Sequence, residues 1–172
     1  MEPHESLGLQ PGHLCNELCV MEMKKTIRVI LADDHPVVRR GIRKILEKSS
    51  EISVVGEAGT GTAALRLVQE LKPDVLLLDI EMPEMKGDQV ARELKKINFP
   101  VSILVLSGCD DPYFIQEMLR TGVDGYLSKD ESPEGIRQAV HQVSQKNARL
   151  PVGRTAALSF LFLTQFLFNL TQ

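Results

Sequence analysis

The sequence is poor in aromatic residues and in cysteine. It contains no Trp, two Tyr and three Cys among 172 residues, and aromatic residues make up 5% of it. The cysteines are odd in number and split between one end (Cys15 and Cys19) and the middle (Cys109). This usage argues against a disulfide framework and favours a reduced, cytoplasmic chain.

The N-terminal stretch lacks basic residues. Residues 1–23 contain no Lys or Arg, four Glu and no apolar run, so they do not have the pattern of a signal peptide. We expect 1–23 to be an unstructured extension, with Met21 or Met23 as an alternative start. Cys15 and Cys19, together with His4 and His13, lack the spacing of a zinc finger.

The C-terminal stretch lacks acidic residues. None occurs after Glu134, and four of the six Phe lie between Phe160 and Phe168. The apolar segment 156–170 is shorter than the roughly 20 residues of a membrane-spanning helix, so we predict no membrane span. We expect 147–172 to be an atypical apolar tail, either a helix docked on the domain or a partner, or an aggregation-prone segment.

The middle of the chain alternates between short apolar strands and helical patterns. Strands are predicted at 27–32, 52–58, 75–78, 101–106 and 125–128. Helices are predicted at 36–48, between Gly61 and Pro73, at 87–97, at 112–121, and from Pro133 onward. Strict alternation with short connections predicts an α/β fold, a doubly wound parallel sheet with helices on both faces. Ligands of such sheets bind beyond the carboxyl ends of the strands.

Polar residues with complementary chemistry stand at those strand ends. Asp33 and Asp34 follow the first strand, Asp79 the third, Ser107 the fourth and Lys129 the fifth. Clustered carboxylates repel unless a cation joins them, and a site of few carboxylates suits Mg2+. A lysine and a hydroxyl suit phosphoryl oxygens. Taken singly, each residue is as readily a helix cap or a surface group, and only their joint placement favours phosphoryl transfer to a carboxylate.

Several motifs together resemble the receiver domain of a two-component response regulator. They are Leu31-Ala32-Asp33-Asp34-His35-Pro36, Leu78-Asp79-Ile80-Glu81-Met82-Pro83, Leu106-Ser107-Gly108 and Gly125-Tyr126-Leu127-Ser128-Lys129-Asp130. The first and last, with Val54-Val55-Gly56-Glu57-Ala58, resemble the NarL/FixJ branch in particular. The resemblance implies a flavodoxin-like (βα)5 fold, strand order 2-1-3-4-5, over residues 24–146.

The resemblance also implies a role for each residue of the site. Asp79 would accept the phosphoryl group, and Asp33 and Asp34 would hold Mg2+ with Asp79 and the backbone carbonyl of Glu81. Lys129 and Ser107 would contact the phosphoryl group. Tyr126 would move inward behind Ser107, although a half-buried aromatic on an edge strand is the alternative for this residue.

The implied partners are a sensor histidine kinase and a second copy of the chain. The copies would meet through the surface of the fourth helix, fifth strand and fifth helix. The resemblance implies a cytoplasmic phosphoacceptor and not a multiple-turnover enzyme. The side chains of Glu81 and Cys109 are expected to border the site.

The sequence departs from the branch after Gln145. NarL/FixJ regulators continue into a helix-turn-helix domain, whereas here Lys146, Arg149 and Arg154 are the only basic residues that follow. We therefore expect no direct DNA binding, and two origins remain open, a stand-alone receiver or a truncated or frame-shifted regulator. The functional alternatives are a DNA-binding transcriptional regulator and a phosphohydrolase, although the Asp-x-Asp pattern of haloacid-dehalogenase-like enzymes is replaced here by Asp79-Ile80-Glu81.

Overall fold

A computed structural model describes residues 26–108 and 112–145 of the chain. Its strands are β1 (Ile27–Ala32), β2 (Ile52–Ala58), β3 (Val75–Leu78), β4 (Ser102–Ser107) and β5 (Gly125–Ser128). Its helices are α1 (Pro36–Leu46), α2 (Gly61–Leu71), α3 (Gly87–Lys96), α4 (Pro112–Arg120) and α5 (Pro133–Ser144). The predicted extension, the apolar tail and all three cysteines lie outside the described residues.

The five strands form one parallel sheet in the order β2-β1-β3-β4-β5. This confirms the doubly wound fold and the strand order implied by the resemblance. β2 is added on one side of β1, whereas β3, β4 and β5 are added in turn on its other side. β1 and β3 therefore lie side by side within the sheet. Their carboxyl ends therefore meet where the connections leave for opposite faces, the position at which such folds bind ligands.

Two apolar layers cover the sheet, because alternate strand residues point to opposite faces. Ile30 of β1 faces the layer built with α2, α3 and α4. Its neighbours Val29 and Leu31 face the layer built with α1 and α5. β3 and β4 are buried along their whole length, as expected for strands covered on both sides.

Local signals in the sequence set the helix starts. Pro36 and Pro133 occupy first turns, where the missing N–H needs no partner. Thr60 caps α2 by accepting the Ala63 N–H at 3.2 Å, and Ser132 caps α5 in the same way.

The helix ends and one strand differ from the predicted bounds by one or two residues. The pattern predicted α1 through Lys48, but the helix ends at Leu46. α3 and α4 each end one residue earlier than predicted, and β4 begins and ends one residue later, so Ser107 lies within the strand. Gly122 ends the α4 region with φ +88°, a left-handed conformation that glycine adopts without strain.

The described helices are all short. Within residues 26–108 and 112–145, none is both long and apolar enough to cross a membrane.

Candidate functional site

The central strands bring two aspartates to one edge of the sheet. Asp33 directly follows β1, and Asp79 directly follows β3. The last residues of these strands, Ala32 and Leu78, are partners in the parallel ladder. The N–H of Asp79 also donates to the Ala32 carbonyl at 2.7 Å. The two carboxylates are therefore held side by side by the backbone itself.

The next two strands supply a hydroxyl and an ammonium at the same edge. Ser107 is the last residue of β4 and is buried, and it pairs in register with Ser128 of β5. The N–H of Lys129 donates to the Ser107 carbonyl at 2.8 Å. Lys129 is thus the first residue after β5, and its side chain extends towards the two aspartates.

Four side chains form a compact acidic group, which consists of Asp33, Asp34, His35 and Asp79. Each offers one ligand atom, and these atoms all lie within 4.8 Å of one another. The side chains of Asp33 and Asp79 are 4% and 5% exposed, whereas that of Asp34 is 33% exposed. The group is open to solvent on the Asp34 side and closed on the side of the sheet.

A tight turn between β1 and α1 shapes this group. Asp33 Oδ1 accepts the backbone N–H of His35 at 2.8 Å. The turn carries the Asp34 side chain next to the imidazole, where His35 Nδ1 lies 2.5 Å from Asp34 Oδ1. The turn therefore brings the carboxylates of the neighbouring residues Asp33 and Asp34 close together, with ligand atoms within 4.8 Å of each other.

Lys129 neutralises part of this charge. Its Nζ lies 2.8 Å from Asp33 Oδ2 and 2.8 Å from Asp79 Oδ2, so one ammonium is shared by two buried carboxylates. Burial by itself lowers the pKa of Lys129, but hydrogen bonds and attraction to both carboxylates outweigh it, so this pKa is raised. Lys129 is therefore held as a cation.

Asp79 carries an energetic cost as an anion. Burial raises the pKa of its carboxyl above the ordinary value, and the neighbouring charge of Asp33 adds to the rise. The hydrogen bonds from Lys129 and from the Ile80 N–H (2.8 Å to Oδ1) oppose it without cancelling it. A poorly solvated carboxylate beside a single ammonium is a group that a second cation would stabilise.

The donor set of the acidic group fits a hard divalent cation. Three carboxylates face one ammonium, and all available carboxylate donors are oxygens, the ligands that Mg2+ prefers. Among the described residues, Asp33 Oδ2 and Asp34 Oδ1 are buried side-chain oxygens that accept no hydrogen bond of good geometry. Lys129 Nζ lies 2.8 Å from Asp33 Oδ2 and His35 Nδ1 lies 2.5 Å from Asp34 Oδ1, and each of these carboxylate oxygens keeps a further lone pair for a cation.

The remaining predicted site residues fall in different places. Tyr126 is 3% exposed within the apolar layer of α2, α3 and α4, so the half-buried alternative is wrong, although β5 is indeed an edge strand. The side chain of Glu81 is 77% exposed. Cys109 lies outside the described residues. The roles assigned to all of the site residues stay predictions.

The sequence reasoning assigned no role to two residues at the site. His35 was quoted only as part of a motif, yet its imidazole contacts Asp34. Arg39 was not considered, yet its Nη1 donates to the Asp33 carbonyl at 2.6 Å. The available signal was their place in the turn and first helical turn directly after Asp33 and Asp34.

Comparison with known proteins agrees with this geometry. The family model described as the response regulator receiver domain matches residues 29–141. The chain is 41% identical over 114 residues to a probable transcriptional regulatory protein NarL of Mycobacterium tuberculosis, covering 66% of this chain and 53% of that protein. It is 33% identical over 139 residues to the nitrate/nitrite response regulator protein NarL of Escherichia coli, covering 81% and 64%. The chain thus spans about half to two thirds of the length of these relatives.

Solved structures show the same fold. The signal receiver domain of the NarL response regulator from Mycobacterium tuberculosis superposes with a TM-score of 0.69 at 39% identity, covering 70% of this chain and 98% of that one. The isolated receiver domain of RcsB from Salmonella enterica, solved with the phosphomimetic BeF3−, gives a TM-score of 0.70 at 30% identity, covering 80% and 99%. Both matches extend over nearly the whole of the compared domains.

Proposed function

Because this chain belongs to the response regulator receiver domain family, we propose that it accepts a phosphoryl group on Asp79 from a phosphohistidine of a sensor histidine kinase. The observation that carries the proposal is the pairing of buried Asp79 with Lys129 beside Asp33 and Asp34. A carboxylate nucleophile with a fixed cation and a set of oxygen ligands for a divalent ion has the parts that phosphoryl transfer needs.

The proposed reaction is a simple transfer between two nucleophiles. A carboxylate oxygen of Asp79 attacks phosphorus, the bond between phosphorus and the donor imidazole breaks, and the imidazole keeps the electron pair. Lys129 already lies 2.8 Å from the Asp79 carboxylate, where its charge offsets that of the incoming phosphoryl oxygens. Ser107, at the end of the adjoining strand, would donate its hydroxyl to the product.

The acidic group would hold Mg2+ through Asp33, Asp34 and Asp79, with the Glu81 backbone carbonyl completing the protein ligands. When bound, Mg2+ would neutralise charge on the phosphoryl oxygens. The carboxylate oxygens that lack well-directed hydrogen bonds support this assignment. Contacts with Lys129 and with the His35 N–H would hold the carboxylates of Asp33 and Asp79 in position for the cation.

We propose that the output is a change in protein association in the cytoplasm. The phosphoryl group would favour the arrangement with Ser107 and Tyr126 turned towards the site, and with it the surface formed by α4, β5 and α5. A ligand shifts such an equilibrium only by its differential contacts with the two states. A second copy of the chain is the proposed partner on that surface.

Regulation of transcription stays the alternative at the level of the whole protein. It is favoured by the relatives, which are transcriptional regulatory proteins, but about half of the Mycobacterium tuberculosis relative lies beyond the matched region. Gel shifts with promoter fragments at stated salt concentrations would reveal sequence-specific binding. We expect none from this chain.

Asp79→Asn is the direct test of the proposed function. Incubation with a small phosphodonor and Mg2+, or with the cognate kinase, should add the mass of one phosphoryl group to the wild type and none to Asp79→Asn. Asp88→Asn is the matched control, because Asp88 lies in the first turn of α3 and pairs with Arg92 instead of joining the acidic group. Phosphorylation that persists in Asp79→Asn would refute the assignment.

Turnover separates the proposal from the phosphohydrolase alternative. A receiver should release phosphate only from its own acyl phosphate, so excess phosphomonoester should stay intact. Repeated release of phosphate from a phosphomonoester would favour the hydrolase.

A further inference from the structure

Arg39 makes an unusual contact with the backbone of the acidic group. It is the fourth residue of α1, six residues after Asp33, and its side chain is 18% exposed. Its Nη1 donates to the Asp33 carbonyl at 2.6 Å, and its Nε lies 3.3 Å from Glu57 Oε2 at the end of β2. One guanidinium thus joins the turn after β1 to the neighbouring edge strand.

The turn is exposed to strong internal repulsion. Asp33, Asp34 and Asp79 place three carboxylates within a few ångströms, and Lys129 reaches only Asp33 and Asp79. Repulsion of this kind drives the turn to open and its carboxylates to separate. Something must hold the Asp33 backbone against that tendency if the carboxylates are to meet around one cation.

The contacts of Asp33 show what holds it. Its N–H donates to the Ala58 carbonyl at 3.1 Å, which continues the ladder with β2. The carbonyl of Asp33 accepts a hydrogen bond from Arg39 Nη1. Glu57 in turn orients the guanidinium, because a planar fork can bond two acceptors at a fixed separation.

We propose that Arg39 is a positioning residue that holds Asp33 and Asp34 in the geometry required to bind a divalent cation. The inference rests on the proposed function, because it assigns the cation to the same acidic group. Partners that lie outside the ligands of a metal and orient them typically account for roughly 10- to 100-fold in metal affinity.

Arg43 provides a matched control within the same helix. Its Nε donates to the other oxygen of Glu57 at 2.6 Å, so it shares the partner of Arg39. Its second contact is with Glu47 on the surface of α1 rather than with the acidic group. Arg39→Gln and Arg43→Gln therefore remove the same charge and the same partner, but only Arg39→Gln removes the contact with Asp33.

The direction of the change in Mg2+ affinity shows whether Arg39 acts by positioning the ligands or only through its charge. Removing a positive charge near a cation site relieves repulsion and by itself strengthens Mg2+ binding. If Asp33 and Asp34 are no longer held in place, Mg2+ binding becomes weaker. For Arg39→Gln we expect the Kd for Mg2+ to rise roughly tenfold, and for Arg43→Gln we expect it unchanged or slightly lower.

Isothermal titration of the full, unphosphorylated chain with Mg2+ measures these constants. Binding by Arg39→Gln that is as tight as in the wild type, or tighter, would overturn the proposal, as would an equal loss in Arg43→Gln. If Arg39→Gln does not fold, Arg39→Lys keeps the charge but cannot bridge both acceptors. It should still raise the Kd by more than about twofold, and a smaller rise would count against positioning.

Asp34→Asn separates this proposal from the proposed function. If Asp34→Asn abolishes Mg2+ binding and Arg39→Gln matches the wild type, only the role of Arg39 falls. If Asp34→Asn binds Mg2+ normally, the cation lies elsewhere and both proposals fail. Phosphorylation is not part of the titration, so its failure alone leaves the result for Arg39 standing.

Discussion

At the scale of single residues, the buried carboxylate of Asp79 lowers the stability of the folded chain. Asp79 is buried at the end of a central strand and shares one ammonium with Asp33. The pKa of its carboxyl is raised because burial removes water from the charged form. The charged form is thus less stable in the folded chain than in the unfolded one, which leaves it ready to gain from a cation or a phosphoryl group.

The raised pKa gives Asp79→Asn a pH-dependent effect on stability. Below the unfolded value of 3.8, Asp79 is neutral in both states and imposes no charge penalty. The penalty develops as pH rises from 3.8 towards the folded pKa, and it is complete above the folded pKa. Removing the charge should therefore stabilise the folded chain at neutral pH by about 0.5–3 kcal/mol, the ordinary size of a single-residue effect.

Urea unfolding of the two proteins from pH 3 to pH 8, with a chelator present, checks this expectation. The advantage of Asp79→Asn should shrink as pH falls. Asp88→Asn removes a carboxylate that pairs with Arg92, and it should not stabilise the chain at pH 7. A variant that is less stable than the wild type at pH 7 would contradict the prediction.

Single residues also mark where the sequence was informative about the site. Asp33, Asp79 and Lys129 were predictable because each follows a strand, and parallel strands deliver their ends to one edge. The contacts of His35 and Arg39 were not predictable, because the direction of a side chain within a turn does not follow from spacing. The nearly complete burial of Tyr126 likewise depends on packing within its apolar layer.

At the scale of elements, one close approach fixes the loop that carries Asp79. Gly87 begins α3, and a Cβ built on it would lie 2.1 Å from the Asp79 carbonyl and 2.9 Å from Ile80 Cα. Both neighbours are backbone atoms, so a side-chain rotation cannot relieve the clash. The N–H of Gly87 also donates to the Ile80 carbonyl at 2.9 Å, which locks α3 against the end of β3.

Gly87→Ala should therefore damage both folding and the site. Overpacking against rigid backbone costs about 1–3 kcal/mol and occasionally more, and relief requires the loop after β3 to move. We expect lower resistance to urea together with slower phosphorylation of Asp79. A variant with unchanged stability and an unchanged rate would show that the loop yields freely.

Gly41→Ala is the matched control, with the opposite expected sign. Gly41 lies within α1, and nothing stands within 4 Å of a Cβ at this position. Alanine in the interior of a helix is favoured over glycine by about 0.8–1.0 kcal/mol. The same chemical change should thus stabilise the chain at one position and destabilise it at the other.

The elements themselves were largely predictable from the sequence, and their ends less so. Proline and capping residues marked the starts of α1, α2 and α5, because each has a specific role in a first turn. The end of α1 was misplaced because the residues after Leu46 are as compatible with a helix as with a turn. The strand order came from the resemblance, since alternation alone fixes parallel strands but not their sequence across the sheet.

At the scale of the whole molecule, the two apolar layers and the acidic group are built from residues between 26 and 145. Leu76 and Ile103 lie within the layer on one face of the sheet, and Leu77 and Leu104 lie within the layer on the other face. All four are nearly inaccessible to solvent. Burial of this kind is the main source of folding free energy. The acidic group and Lys129 also lie within these residues, at the carboxyl ends of the strands.

A fragment of residues 24–146 should accordingly fold and bind Mg2+ by itself. Single domains of this size usually unfold in one cooperative step, so fragment and full chain can be compared directly. We expect unfolding free energies that agree within about 1 kcal/mol, because the fragment keeps every residue of both apolar layers that the structure describes. Urea unfolding and Mg2+ titration of both proteins measure this. A fragment that is much less stable, or that binds Mg2+ more weakly, would show that residues 1–23 or 147–172 contribute to the domain, and adding back each segment in turn would identify which.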